Sequence, residues 1–231
     1  MHTKLSLTLA AMTLSMVAFA QQDTSFQIRY AANLTAGDSV INITNTGANG
    51  ASLTGPGFGG AVGNICVNVY AFSPDEQLIS CCSCLITPNG LVSLSVNQDL
   101  VSNTLTGVRP NSVVIKLVET LAQTTAGAGL GTSCTNSAAL AGIAVGAAIP
   151  FPIPTNGMLA WGTTVHAGVP AGSFATTETA FIPATLVLPV AGVPVLGSEL
   201  ASITNRCTNI IGNGSTFGIC RSCRAGGLRA E

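Results

Sequence analysis

Three cysteines fall within four successive positions of one apolar stretch: Cys81, Cys82 and Cys84 lie in ISCCSCLITPNG. Cysteines grouped in this way can bind zinc, catalyse thiol–disulfide exchange or form structural disulfides. The cysteines of the whole chain are Cys66, Cys81, Cys82, Cys84, Cys134, Cys207, Cys220 and Cys223. Their chemistry depends on their spacing and on the compartment in which the protein works.

The spacing does not favour zinc. Structural zinc sites are usually built from two short Cys or Cys/His pairs, whereas here a CCxC stretch is followed much later by a single CxxC. The one histidine outside the first few residues, His166, lies far in the sequence from every cysteine. We therefore predict no metal site and no cofactor.

The CxxC pair, Cys220 and Cys223, is the candidate for redox catalysis. Arg221 and Arg224 lie beside it and would favour a thiolate. A thioredoxin-like pair, however, needs a strand-to-helix setting, and this one stands near a Gly-rich end of the chain. We favour structural bonds and keep a thiol–disulfide oxidoreductase as an alternative.

The first twenty residues have the layout of a secretory signal peptide. Lys4 supplies a basic start, residues 5–19 are apolar and uncharged, and Ala18-Phe19-Ala20 forms a cleavage site before Gln21. We therefore expect a secreted, periplasmic or cell-surface protein. An even number of cysteines in an oxidising compartment favours disulfides, so all eight are disulfide candidates.

The chain is apolar and carries few charges. Hydrophobic residues make up 47% and charged residues 7% of it, against about 25% charged residues in ordinary proteins. Disordered chains are poor in apolar residues, so this one should fold. A weakly charged surface also offers little resistance to self-association.

Arginines concentrate near the end of the chain. Arg221, Arg224 and Arg229 form a small basic group with Arg206 upstream. Specific nucleic-acid binding needs a larger basic face, so we predict that Arg221, Arg224 and Arg229 dock an anionic surface or a protein partner, with no nucleic acid.

Short alternating segments predict β-strands along most of the chain. Turn signals such as SPDEQ and TPNG separate them. The predicted strands are FQIRYAAN, DSVINITNTG, ICVNVYAF, LISCCSCLI, LVSLSV, VVIKLVETL, MLAWGTTVHAGV, SFATTETAFI and ATLVLPVAGVPVL. One helix is predicted in GSELASITNRCTNIIGNGS, with Ser198 as its cap, Gly212 as its stop, and an apolar face formed by Leu200, Ile203, Cys207, Ile210 and Ile211. The pattern predicts an all-β protein, an antiparallel β-sandwich with a short C-terminal helix, stapled by disulfides.

We divide the chain into four parts. Residues 1–20 are the signal peptide, 21–122 a β-sandwich region with the CCxC cluster, and 123–157 an Ala/Gly-rich linker or insertion. Residues 158–231 hold further strands, the helix and the Cys-rich end, and we expect them to pack with 21–122 as one domain. The apolar piece AALAGIAVGAAI is too short to span a bilayer, so we predict no transmembrane segment.

Strand geometry constrains the cysteine partners. Because neighbours in a strand face opposite sides, Cys81 and Cys82 should bond different partners, while Cys82 and Cys84 share a face. Cys66 should lie within hairpin reach of this cluster. We expect Cys207, on the helix, to face the CxxC pair. The connectivity itself stays open.

Other chemical constellations are sparse. A hydrolase triad would have to use His166, because no G-x-S-x-G motif occurs. Asp75 and Glu76 are adjacent carboxylates in a turn, where solvated charge is the simpler interpretation. Asp99, with Asn97 and Asn103, could ligate calcium only weakly, since the stretch lacks the acidic density of a calcium loop.

Two blocks of the chain resemble uncharacterised secreted bacterial proteins that carry no assigned activity. The resemblance rests on CCSC, TPNGL and LTGV over residues 64–117, and on ELASITNRC and NGSTFGICRSCRAGGL over residues 176–228. It implies an extracytoplasmic setting and no particular chemistry.

These observations favour a secreted, non-catalytic structural, surface or interaction protein that contacts itself or other cell-surface proteins. The first alternative is an extracellular ligand- or glycan-binding module, for which Trp161, Tyr70 and Tyr30 are the aromatic side chains able to stack on a sugar. The second is the oxidoreductase that uses Cys220 and Cys223.

Overall fold

A computed structural model describes residues 24–50, 63–104, 106–122, 134, 155–168, 170–185, 199–207, 210 and 219–223. Within these ranges the chain forms two antiparallel β-sheets, as predicted. The strands are β1 Phe26–Ala31, β2 Val40–Asn45, β3 Ile65–Phe72, β4 Leu78–Ile86, β5 Leu91–Ser95, β6 Val113–Leu121, β7 Met158–Ala167, β8 Phe174–Ala180 and β9 Ile182–Pro183. The helix α1 spans Glu199–Cys207, a π-helical turn spans Val96–Leu100, and a 3-10 turn spans Arg221–Cys223.

Both sheets combine strands from the two halves of the chain. The five-stranded sheet has the order β4-β3-β6-β1-β9, and the four-stranded sheet has the order β5-β2-β7-β8. Strand β7 therefore pairs with β2, and β9 pairs with β1. The segment 123–157 separates these paired strands along the sequence, although they are neighbours in the sheets.

The main core lies between the two sheets because alternate residues of each strand face inwards. Ile41 and Ile43 of β2 and Ile115 and Leu117 of β6 are completely buried there. Two polar side chains of the five-stranded sheet also reach across this core to the backbone of Met158, the first residue of β7. The Gln27 amide donates to the Met158 carbonyl at 2.8 Å, and the Glu119 carboxylate accepts from the Met158 N–H at 2.8 Å.

A second core covers the outer face of the five-stranded sheet. Helix α1 contributes Ile203 and Cys207 to it, and they pack with Tyr70, Cys81 and Val118 of the sheet. Lys116 on the same face bonds to Glu199 of the helix at 2.6 Å. The predicted helix is therefore confirmed over Glu199–Cys207, whereas Ile210, which was expected on it, is not helical. Ser198, Ile211 and Gly212 lie outside the described residues.

The sequence did not predict the π-helical turn after β5. Two aspartates hold it: Asp38 Oδ1 accepts from the Asn97 N–H at 2.9 Å, and Asp99 Oδ2 accepts from the Ser95 N–H at 2.8 Å. The signal peptide and AALAGIAVGAAI fall outside the described residues. Among those residues, no helix combines the length and apolarity needed to cross a membrane.

Candidate functional site

All eight cysteines are paired, and none is free. The four disulfides are Cys66–Cys134, Cys81–Cys207, Cys82–Cys220 and Cys84–Cys223. Three of them start from β4, and their partners lie between 126 and 139 residues further along the chain. Strand β4 is therefore the point at which the C-terminal part of the chain is attached to the sandwich.

The two faces of β4 hold different parts of the C-terminal region. Cys81 faces outwards and bonds to Cys207 of α1, whereas Cys82 and Cys84 face the inner core and bond to the CxxC pair. The expected separation of Cys81 from Cys82 and Cys84 is confirmed. The expectation that Cys207 faces the CxxC pair is wrong, because α1 packs on the opposite side of the sheet.

Segment 219–223, together with its two disulfides, is here called the C-terminal clamp. Cys220 donates its N–H to the Ser83 carbonyl at 3.1 Å, which adds the segment to the edge of β4. Each cysteine of the CxxC pair is thus bonded to β4, and the two are not bonded to each other. The sulfurs of Cys84, Cys220 and Cys223 lie within 4.8 Å of one another. Because they are disulfide sulfurs, they are not the thiolates that zinc binds.

Asp99 positions the clamp. Its Oδ1 accepts from the Ser222 N–H and its Oδ2 from the Ser222 hydroxyl, both at 2.8 Å, and its side chain is buried. The carboxylate that the sequence suggested as a weak calcium ligand therefore receives protein hydrogen bonds. Asn97, considered with it, donates to the Leu34 carbonyl at 3.2 Å.

The hydrolase candidates are not brought together. His166 Nε2 lies 2.8 Å from the Thr177 hydroxyl, whereas a triad histidine is oriented by a carboxylate. Asp75 and Glu76 occupy the exposed tip of the β3–β4 turn, where Ser73 bonds to Asp75 and the Glu76 N–H bonds to the Ser73 carbonyl at 2.9 Å.

The three aromatic residues do not form one sugar-binding surface. Tyr70 is completely buried and Tyr30 is exposed on the outer face of the five-stranded sheet. Trp161 alternates with the inward-facing Ala160 and Gly162, so it lies on the outer face of the other sheet. A groove of about 330 Å³ beside the β3–β4 turn has no aromatic residue in its lining.

Of the predicted docking arginines, Arg221 is exposed on the clamp. Arg224 and Arg229 lie outside the described residues. Arg206, one of the same C-terminal group, is exposed on α1.

A different arginine, Arg29 of β1, is buried between the sheets. It donates to the Gly162 carbonyl at 2.9 Å and to the hydroxyls of Thr164, Thr179 and Ser39 at 2.8, 3.3 and 3.2 Å. Desolvation lowers the pKa of its guanidinium. Gly162 makes room for it, because a Cβ at that position would lie 2.9 Å from Arg29 Cζ.

Strand β8 lies at the end of the four-stranded sheet and is exposed along its whole length. It was predicted as a strand, but its exposure was not recognised. The signal was present in FATTETA, which has a large apolar residue only at Phe174 and therefore offers no face suited to a core.

Comparison with known proteins identifies no relative. The chain matches no family model, no curated protein and no solved structure. The features of this chain that bear on function are the C-terminal clamp, the pairing of the cysteines and the exposed edge of β8.

Proposed function

We propose that this chain is a secreted, non-catalytic structural or surface-interaction protein that contacts copies of itself or other cell-surface proteins. The observation that carries the proposal is the use of all eight cysteines in disulfides, three of which attach the C-terminal region to β4. Disulfides in this number are typical of proteins that work in oxidising compartments.

The burial of the sulfurs supports a structural role for the CxxC pair. Catalytic thiols are partly exposed and act as thiolates. Cys220 is 1% exposed, and its partner Cys82 is completely buried. Exchange at Cys220 would require the clamp to leave β4 first, and Cys223, which is partly buried, is bonded to the completely buried Cys84.

The surface supports an interaction role. The chain has 7% charged residues and a net charge of −1, so charge repulsion between copies is weak. The exposed strand β8 adds backbone groups that another strand can pair with.

Cell fractionation and an insulin-reduction assay test the proposal. We expect the protein in the extracytoplasmic fraction, with no insulin reduction above background. The matched variants are Cys220→Ser with Cys223→Ser and, as a control, Cys82→Ser with Cys84→Ser, which removes the same two disulfides but keeps the CxxC pair. A reduced protein retained in the cytoplasm would contradict the proposal. So would insulin reduction by the wild type that only the first pair abolishes at an unchanged melting temperature.

A further inference from the structure

Sheet edges expose unpaired backbone groups, and proteins usually protect them. In the described ranges, three of the four edges are protected here. The edge of β4 is paired with the clamp through Ser83 and Cys220. Strand β5 contacts the 3-10 turn of the clamp. Strand β9 has only two residues and ends at Pro183, which has no N–H to donate.

Among the described residues, none protects the edge of β8 in this way. It runs for seven residues without proline, lysine or a break in its register with β7. Its single charge is Glu178. Phe174 at its start is 61% exposed. A long, regular, weakly charged edge of this kind can pair with a further strand.

The register shows which backbone groups point away from β7. The Phe181 N–H bonds to the Ala160 carbonyl and the Gly168 N–H bonds to the Ser173 carbonyl, at 2.9 and 2.8 Å, in line with the β7–β8 register. Hydrogen-bonded pairs alternate in an antiparallel ladder. The odd-numbered residues of β8 therefore bond to β7, and the outward backbone groups belong to Phe174, Thr176, Glu178 and Ala180.

We infer that β8 pairs with β8 of a second copy, antiparallel and around a two-fold axis at Thr177. The inference rests on the proposed function and specifies the interaction partner as a second copy of this chain. In this register Phe174 faces Ala180 of the other copy, and Thr176 faces Glu178. Each residue whose backbone groups point away from β7 then lies opposite such a residue of the other copy. Each of these pairs exchanges both N–H···O bonds. The two four-stranded sheets become one continuous sheet.

The side chains of β8 favour a copy of the same strand. Each Phe174 ring meets a small Ala180, and each Glu178 meets a neutral Thr176, so no like charges lie directly opposite. Like charges in that position would destabilise the pair. A symmetric contact between identical patches is also the commonest form of protein dimer. One added strand makes a small interface, so we expect a dissociation constant of about 10⁻⁵–10⁻⁴ M.

The backbone part of the inference is tested with Thr176→Pro, because the N–H of Thr176 points away from β7. Proline there leaves the β7–β8 bonds intact and removes an N–H needed by the second copy. Sedimentation velocity over a concentration series should show a monomer–dimer equilibrium for the oxidised wild type. It should show a monomer only for Thr176→Pro, at an unchanged melting temperature. The control Thr176→Val keeps the N–H and should dimerise like the wild type.

The register is tested with opposite charges at the same position. Thr176→Glu places a glutamate opposite Glu178 twice per dimer and should weaken association about 2- to 30-fold. Thr176→Lys places a lysine opposite Glu178 and should strengthen association by a similar factor. Both effects should shrink at high salt, because exposed charges are screened.

A wild type that stays monomeric at about 1 mM, roughly ten times the upper end of the expected dissociation constant, would overturn the inference. Equal association of Thr176→Pro and wild type, or equal effects of Thr176→Glu and Thr176→Lys, would also overturn it. These results would leave the proposed function standing if the protein is exported, oxidised and inactive on insulin. Cytoplasmic retention or insulin reduction would instead remove the proposed function.

Discussion

Asp99 and Ser222 join the π-helical turn to the C-terminal clamp. They are 123 residues apart in the chain, yet the Asp99 carboxylate accepts both the N–H and the hydroxyl of Ser222 at 2.8 Å. The same carboxylate accepts the Ser95 N–H at the end of β5. One buried side chain therefore orients the turn that carries Cys223 and attaches it to the four-stranded sheet.

Replacing Asp99 with Ala should destabilise the fold. Two N–H groups and one hydroxyl lose a charged acceptor, which should cost about 2–4 kcal/mol. Thermal unfolding of the oxidised protein measures this loss. The matched control is Asp75→Ala in the exposed β3–β4 turn, which should change stability by less than about 0.5 kcal/mol. Equal effects of the two substitutions would contradict the role given to Asp99.

Removing one clamp disulfide should lower stability without affecting any turnover. Each variant changes both cysteines of one bridge to serine, so that no single thiol is left behind. One is Cys82→Ser with Cys220→Ser, and the other is Cys84→Ser with Cys223→Ser. Each should lose about 2–4 kcal/mol, because the bond restrains a long stretch of the unfolded chain. Melting temperature and secretion yield are the measurements. An unchanged melting temperature in both variants would show that the clamp does not stabilise the fold.

Arg29 and Gly162 should be energetically coupled. Gly162→Ala places a Cβ against a guanidinium held by four hydrogen bonds, and should cost about 1–3 kcal/mol. In an Arg29→Ala background the obstacle is gone, so the same substitution should cost less than about 0.5 kcal/mol. A double-mutant cycle by chemical denaturation gives the coupling. Additive effects would mean that Gly162 does not serve to accommodate Arg29.

The C-terminal arginines provide a test of surface docking. Changing Arg221, Arg224 and Arg229 to Gln should weaken retention on anionic cell-surface material and leave the melting temperature unchanged. Wild-type retention should fall as salt rises, because charges are screened beyond about 8 Å at physiological ionic strength. A matched variant with Lys at all three positions should be retained. Retention independent of both salt and the Gln substitutions would mean that these arginines are only solvated.

Local pattern was sufficient to predict most of the strands and the helix. Alternation in β4 also placed Cys81 on one face and Cys82 and Cys84 on the other, since successive side chains point to opposite sides. The disulfide partners could not be predicted in this way. They lie far along the chain, and their positions depend on α1 packing outside the sheet while the clamp joins its edge.

The π-helical turn and the role of Asp99 were missed for a related reason. Both depend on side chains that come from other elements, Asp38 before β2 and Ser222 in the clamp. The exposure of β8 also reflects sheet order, which places it at the end of the four-stranded sheet. The contacts of Asp38 and Asp99 leave little trace in any one segment of the sequence, whereas the exposure of β8 has a local signal in the composition of FATTETA.

Peptide mapping of the exported protein, alkylated without reduction, tests the central claim most directly. We expect four bridges, Cys66–Cys134, Cys81–Cys207, Cys82–Cys220 and Cys84–Cys223, which leave no thiol to be alkylated, and no stoichiometric zinc. Four or more alkylated cysteines, bound zinc, or a bridge between Cys220 and Cys223 would contradict the account of a protein held together by its clamp.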